Sequence, residues 1–374
     1  MSLLKFSSTT VLIFTAAALT GCVSNGNYIS SEGFSDPTSE VILSWGDLPD
    51  GRTWGSSAGI DIDPTDGHIW AYERCAAGGS LAGPNPVNCD NNLVDPVFKF
   101  DRHTGEILAN FGSGIMVFPH GLHVDTEGNV WVTDFAANAA GTKGQQVHKF
   151  SPTGELLMSL GTAGSRGNGP NQFNQPNDVI VGPDGSIYVA DGHGGQVMTS
   201  IEAMEAGRAR GATARIIKFS PDGRKLKEWG RIGVLHGEFR TPHALEFDSQ
   251  GRLWVSDRGN HRLEIFDQEG NYLESRYSYG RSSGLFITDD DMVYSTDSES
   301  TPMNHTGWRA GVRIGPLNED RIVAFIQPHD FEDREYQGIA GEGVAVDADG
   351  NVFGAEGPIS LPVTGGPFTK YVAR

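Results

Sequence analysis

The sequence has few cysteines, no excess of positive charge and no apolar run long enough to span a membrane as a stable helix. Three cysteines among 374 residues exclude a fold that depends on many disulfides. Lys and Arg number 28 against 47 Asp and Glu, a formal net charge of −19. A phosphate backbone is a poor partner for so acidic a chain, so we expect no nucleic acid partner.

Glycine and proline are abundant instead. The chain has 50 Gly and 19 Pro, which suits many short strands joined by tight turns. Hydrophobic residues make up 38% of the chain, enough for a core that is spread over repeated small sheets. The composition therefore favours an all-β protein.

The first residues have the pattern of an export signal. Lys5 precedes an apolar run from Val11 to Leu19, and the next residues lead to Cys22 in a sequence that resembles a bacterial lipobox. We predict a lipoprotein signal peptide at 1–22 with Cys22 lipidated; the alternative is an ordinary cleaved signal peptide. Residues 23–39 would form a tether, and the protein would be exported and lipid-anchored to the outer membrane, in the periplasm or at the cell surface.

The other two cysteines, Cys75 and Cys89, lie close together in sequence. In an oxidising compartment we predict a disulfide between them. A paired-cysteine metal site is the weaker alternative, because the chain has no second pair to complete it.

One pattern recurs six times: an apolar strand, an Asp-x-x-Gly or similar turn, and a second strand that ends in an acidic residue. These acidic residues are Glu73, Asp134, Asp191, Asp257, Asp297 and Glu356. Most copies continue into two further strands, so we predict a six-bladed β-propeller over residues 40–374. The last copy ends after its third strand, and we expect the segment 40–46 to complete that blade. We expect a monomer.

Two insertions interrupt the repeats, both after the second strand of a blade. They cover 76–95 in blade one and 196–214 in blade three, and the second has helical periodicity. Because both leave a blade at the same point, we expect both at the same mouth of the channel, as walls or a lid.

Equivalent positions in successive blades form rings around the channel axis. The position at the entry to the first strand is His120 in blade two, His243 in blade four and Glu342 in blade six. Two imidazoles and a carboxylate in alternate blades match a three-ligand zinc site with an open fourth position. The alternative is three unrelated polar residues in a hydrated channel.

The acidic residues at the ends of the second strands form another ring, which we interpret as structural, accepting backbone N–H bonds at turns. Arg74 and Arg258 follow this ring in blades one and four. They either reach the channel mouth, where Arg suits a carboxylate, or pair with the acidic ring.

Several stretches resemble the peptidyl-α-hydroxyglycine α-amidating lyase family, a group of NHL-type propellers. They are 118–122, 129–134, 173–179, 187–192 and 241–245. The resemblance implies a six-bladed propeller that cleaves a peptidyl carbinolamide to an amide and glyoxylate, with zinc held by three histidines. It places His120 and His243 at two zinc-ligand positions, and Arg74 and Arg258 at the arginines associated with substrate carboxylate and catalysis.

The chain departs from this family at several positions. The third zinc-binding histidine is replaced by Glu342, and the catalytic tyrosine falls at about His193. Where the family has an Asp that helps to bind a structural calcium, this chain has Gly343. We keep Ca²⁺ as a second candidate cofactor with a structural role. A disulfide of the family is absent, with Asn174 and Gly194 in its place.

We therefore expect a zinc-dependent lyase acting on a small carboxylate-bearing or peptide substrate. In this hypothesis His193 takes a proton, and Arg74 or Arg258 holds the carboxylate. The alternatives are a metal-dependent hydrolase of the lactonase type and a non-enzymatic, lipid-tethered binding or scaffold propeller.

Overall fold

The computed structural model describes residues 33–47, 49, 52–76, 87–329 and 338–374, and they form six four-stranded antiparallel sheets. Each sheet is one propeller blade, and this confirms the predicted fold class. The predicted signal peptide, Cys22 and most of the predicted tether lie outside the described residues. Within the described residues, no helix is both long and apolar enough to cross a membrane.

The strands follow the chain from the inside of each blade to its outside. Blade one comprises β2 (Ile60–Ile62), β3 (Ile69–Tyr72), β4 (Val97–Phe100) and β5 (Ile107–Phe111). Blade two comprises β6 (Pro119–Val124), β7 (Val130–Asp134), β8 (Gln146–Phe150) and β9 (Leu156–Leu160). Blade three comprises β10 (Pro176–Val181), β11 (Ile187–Asp191), β12 (Arg215–Phe219) and β13 (Lys225–Trp229).

Blades four to six repeat this order, except that the last blade takes its outer strand from the N-terminal side. Blade four comprises β14 (Pro242–Phe247), β15 (Leu253–Asp257), β16 (Arg262–Phe266) and β17 (Tyr272–Arg276). Blade five comprises β18 (Ser282–Ile287), β19 (Met292–Asp297), β20 (Gly311–Pro316) and β21 (Ala324–Ile326). Blade six comprises β22 (Gly343–Val346), β23 (Val352–Ala355), β24 (Phe368–Ala373) and β1 (Thr38–Ile42).

The strand β1 closes the ring, as the sequence predicted. It pairs antiparallel with β24, with Val41 opposite Tyr371 and Ile42 opposite Lys370. The following Trp45 packs edge-on against Phe353 at 4.9 Å between ring centroids. The two ends of the propeller are thus joined through one sheet, which leaves no open edge between the first and last blades.

The Asp-rich turns between first and second strands do more than reverse the chain. Trp70, Trp131 and Trp254 each donate an indole N–H to the turn Asp of their own blade, at 2.7–3.0 Å. In blades one and two a third-strand lysine, Lys99 or Lys149, also pairs with that carboxylate. These bonds satisfy the buried polar end of each indole while its rings fill the core between blades.

The insertion in blade three contains the predicted helix, α1 (Ile201–Ala209), preceded by a 3-10 turn at Gly194–Val197. A second 3-10 turn covers Arg258–Asn260, and a short helix α2 covers Leu361–Thr364. Ser200 caps α1, because its side chain accepts the backbone N–H of Ala203.

In blade one the disulfide Cys75–Cys89 is present, as predicted. The segment after Cys89 leans on blade two: Asp90 pairs with Lys143 and accepts from Asn138. Residues 77–86 of this insertion lie outside the described residues, so its proposed role as a lid stays a prediction.

Candidate metal centre

The channel is lined by the first strands of the blades, and their entry residues meet there. Ala58, His120, Asn177, His243 and Ser283 all line one cavity. Nδ1 of His120 donates to the carbonyl of Asn177 at 2.9 Å, and Nδ1 of His243 donates to the carbonyl of Ser283 at 2.6 Å. Each of these two histidines therefore bonds to the backbone of the ring residue in the next blade.

These carbonyls determine which nitrogen of each imidazole carries the proton. A carbonyl can only accept, so Nδ1 of His120 and His243 carries the proton and Nε2 carries the lone pair. The Nε2 atom of His243 is buried and has no hydrogen-bond partner among the described residues. A buried imidazole lone pair with no partner, on a ring held by a backbone carbonyl, fits a metal ligand.

A third histidine joins these two, and it is not at a ring position. His193 follows β11 in blade three, and candidate ligand atoms of His120, His193 and His243 all lie within 4.8 Å of one another. The ring centroids are 4.9 Å apart for His120 and His243, and 5.6 Å for His193 with either. Within the described residues this is the one cluster of three or more potential ligands at that spacing.

All three imidazoles are held neutral. Burial and the nearby guanidinium of Arg258 lower the pKa of each well below its usual value, and Arg74 adds to the effect at His120 and His193. Only the neutral form has a lone pair to offer a cation. The electrostatics therefore match a metal centre better than they match three bases that work at neutral pH.

Arg258 contacts the cluster directly. Its side chain is 1% exposed and donates to Nε2 of His193 at 2.8 Å and to the hydroxyl of Ser283 at 3.3 Å. A carboxylate oxygen of Glu299 lies 3.4 Å from Nη1 of Arg258, the nitrogen that also donates to Ser283. Arg258 is thus a channel residue and does not pair with the acidic ring.

Arg74 acts on the cluster through its charge, which lowers the pKa of His120 and His193. It is buried, stacks over the ring of Phe118 at 4.5 Å, and donates to the carbonyl of Pro119 and the hydroxyl of Ser56. No ion pair of Arg74 with a carboxylate occurs among residues of the described ranges. Arg74 is therefore a buried cation beside the start of β6, the strand that holds His120.

Glu342 is not a member of the three-histidine cluster. Its side chain packs against Gly357, where a Cβ atom would lie 2.6 Å from a carboxylate oxygen. Burial raises the pKa of Glu342, while Arg74 and Arg258 oppose that rise. The two arginines thus act on the carboxylate through their charge, without a direct ion pair among the described residues, and its assignment as a metal ligand stays a prediction.

The ring of acids at the ends of the second strands is structural, as interpreted. Five of its members accept backbone N–H groups that precede the first strand: Glu73 from Gly55, Asp134 from Val117 and Phe118, Asp191 from Asn174, Asp257 from Arg240 and Asp297 from Arg281. Arg215, Arg262 and Arg313 on the third strands pair with three of these acids. These bonds hold the entry of each first strand in place.

Residues 239–266, which hold the second ring histidine and Arg258, match the family model of the NHL repeat. The chain is a six-bladed propeller that contains an NHL repeat. Its homologues include a peptidyl-glycine alpha-amidating monooxygenase of Xenopus laevis, 35% identical over 74% of this chain and 31% of that one. A probable peptidyl-alpha-hydroxyglycine alpha-amidating lyase of Caenorhabditis elegans is 30% identical over 57% of this chain and 55% of that one.

Among solved structures, a gluconolactonase of Xanthomonas campestris superposes on the NHL-repeat propeller with a TM-score of 0.52 and 15% identity. The match covers 90% of this chain and 99% of that one, and it supports the fold alone. This propeller spans about a third of the frog enzyme and about half of the worm protein. The similarity to amidating enzymes supports an enzymatic function for this protein.

Sequence reasoning missed His193 as part of the cluster because it compared only equivalent ring positions. Its place depends on the turn after β11: His193 follows Gly192, whose φ of 122° lets the chain turn back. A Cβ atom on Gly192 would lie 2.0 Å from the carbonyl of Thr213. Only glycine permits this close approach.

Proposed function

We propose that the protein is a metal-dependent lyase that cleaves an α-hydroxyglycine-type carbinolamide to an amide and glyoxylate. The observation that carries this proposal is the convergence of three imidazoles, of which two are buried and that of His193 is half-buried, beside two buried arginines. Homology to amidating enzymes supports the same reaction class.

We propose His120, His243 and His193 as the metal ligands. A divalent ion held there, zinc by the family resemblance, supplies a Lewis acid for the substrate oxygen. A neutral imidazole has one lone pair, and that of His193 now accepts from Arg258. Ligation through this nitrogen would release Arg258, so a filled site frees a guanidinium for the substrate carboxylate.

Glu342 then becomes the proton acceptor instead of His193. Burial raises its pKa above that of an ordinary carboxylate, which makes it a stronger base, and Arg74 and Arg258 both interact with its charge. In the reaction the substrate hydroxyl loses its proton, the C–O bond becomes the aldehyde of glyoxylate, and the C–N bond breaks. The amide nitrogen takes up a proton, so atoms and charge balance.

Metal content tests the ligand set. We expect about one zinc per chain in wild type, and loss of metal in His120→Ala, His243→Ala and His193→Ala but not in Glu342→Gln. Loss of metal from Glu342→Gln with retention in His193→Ala would restore the ligand set predicted from the sequence. A wild type that binds no transition metal when zinc is supplied would instead support a binding propeller.

Activity tests the reaction. We expect zinc-loaded protein to release glyoxylate from α-hydroxyhippurate, and Glu342→Gln to lose at least 100-fold in kcat while it retains metal. A zinc-loaded wild type that releases no glyoxylate above the uncatalysed rate would exclude this substrate class.

A further inference from the structure

Beside the metal centre, blade five contributes two charged residues that the sequence patterns did not single out. Arg281 precedes β18, and Glu299 follows β19. One carboxylate oxygen of Glu299 lies 3.4 Å from Arg258, and the other lies 2.9 Å from Arg281. One carboxylate is thus shared between two guanidinium groups from blades four and five.

The two guanidinium groups have more donors than Glu299 can use. Arg258 and Arg281 are 1% and 4% exposed, and the Nε of each is buried without a partner among the described residues. Buried N–H donors left unpaired cost free energy, so this pair is built for a further acceptor. Arg281 is also held in place, by His261 at 3.1 Å and Gln196 at 3.4 Å.

The carboxylate of Glu299 is free to move away from the two arginines. Its side chain is 22% exposed, far more than either arginine, and it lies in the strand-free segment between β19 and β20. Among described residues the partners of its carboxylate are these two arginines alone, while its backbone N–H donates to Asp297. No packed strand therefore restrains its carboxylate.

We propose that Arg258 and Arg281 form a two-guanidinium seat for the carboxylate of a small α-hydroxy or α-keto acid, and that Glu299 occupies this seat until the ligand displaces it. The seat adjoins the metal centre, because Arg258 also contacts His193 at 2.8 Å. This inference deepens the proposed function by naming Arg281 as the partner of Arg258. It makes Glu299 a specificity-determining residue, since any ligand must compete with it.

Direct binding of glycolate, measured by calorimetry on the full protein with and without zinc, tests the seat without turnover. We expect Arg281→Gln to weaken glycolate binding by about 10-fold or more, since a charge-assisted bond is lost. We expect Glu299→Gln to strengthen it several-fold, since the competing carboxylate is gone. Arg240→Gln is the matched control: Arg240 is close to Arg281 but donates to the Gln196 carbonyl and does not contact Glu299.

Equal weakening in Arg281→Gln and Arg240→Gln would overturn the seat, because it would reflect net charge alone. Unchanged or weaker binding in Glu299→Gln would overturn the role of Glu299 and the proposal with it. Thermal melting of each variant shows that it is folded. Should Arg281→Gln fail to fold, Glu299→Gln alone decides. Failure of the lyase reaction would not affect these binding constants, so the two proposals fail separately.

Discussion

Individual buried carboxylates in this protein differ in how their charge is compensated. Asp191, Asp257 and Asp297 each pair with an arginine of the third strand. In blade two the equivalent position is Gln146, so among the described residues the Asp134 carboxylate has only the N–H groups of Val117 and Phe118 as hydrogen-bond partners. Burial therefore raises the pKa of Asp134 to about 7 in spite of these two bonds.

This pKa predicts a pH dependence of stability. Because the folded-state pKa is above the unfolded value, Asp134 stabilises the fold most at low pH, and that contribution is lost as pH rises towards 7. We expect the free energy of unfolding of wild type to fall relative to that of Asp134→Asn by roughly 1.4 kcal/mol per pH unit between pH 4 and 7. Denaturant titrations at several pH values measure the difference.

The exposed turn residue Glu155 provides the control for this experiment. Glu155→Gln should show the pH profile of wild type. Asp134→Asn should also lower the free energy of unfolding by a pH-independent amount, because the amide nitrogen of Asn replaces one of the two acceptor oxygens. A pH profile of Asp134→Asn that runs parallel to wild type would show that Asp134 does not titrate in this range.

At the scale of elements, the blade-one insertion is held by the Cys75–Cys89 disulfide. The bond closes a loop with a sequence separation of 14, and Asn92 after the bridge donates to the carbonyl of Cys75. Both cysteines are buried. The bridge therefore restricts the conformations of the unfolded chain. It also holds in place the segment that leads into β4.

We expect the Cys75→Ser/Cys89→Ser protein to lose about 2–4 kcal/mol of unfolding free energy, the amount typical for a loop of this length. Denaturant unfolding of the wild type with and without reductant, beside the double variant, measures this. Reductant should lower the stability of wild type and leave the double variant unchanged. Equal stability of oxidised and reduced wild type would contradict the prediction.

The whole molecule is a ring that is closed by a single strand from the far end of the chain. The strand β1 covers the outer edge of β24, and β24 would otherwise offer a row of unpaired backbone groups to other chains. Ser35 just before it also bridges to Ala324 in blade five. Closure thus depends on the segment that precedes the first complete blade.

We expect a protein beginning at residue 44 to be less stable than one beginning at residue 33 and to form larger species, because the edge of β24 becomes available for pairing. Thermal melting and size-exclusion chromatography of the two versions measure this. Since neither version carries residues 1–32, any difference belongs to residues 33–43. Identical melting and elution would show that β1 does not contribute to closure.

The sequence by itself determined the architecture, because six recurring strand and turn patterns leave one arrangement for the chain. It also determined the closing strand, the disulfide and the facing positions of His120 and His243, since these follow from equivalent positions in repeated units. Local pattern is enough for such features, because each blade repeats the same hydrogen bonds and the same buried residues.

The tertiary structure decided what lies between the repeats. His193, Arg281 and Glu299 are outside the aligned ring positions, and their side chains meet the channel through turns and neighbouring blades. Their place depends on backbone angles after the strands and on packing across blades, which no repeat pattern encodes. The ring of the propeller could therefore be derived from the sequence, whereas the third histidine and the arginine pair could be found only in three dimensions.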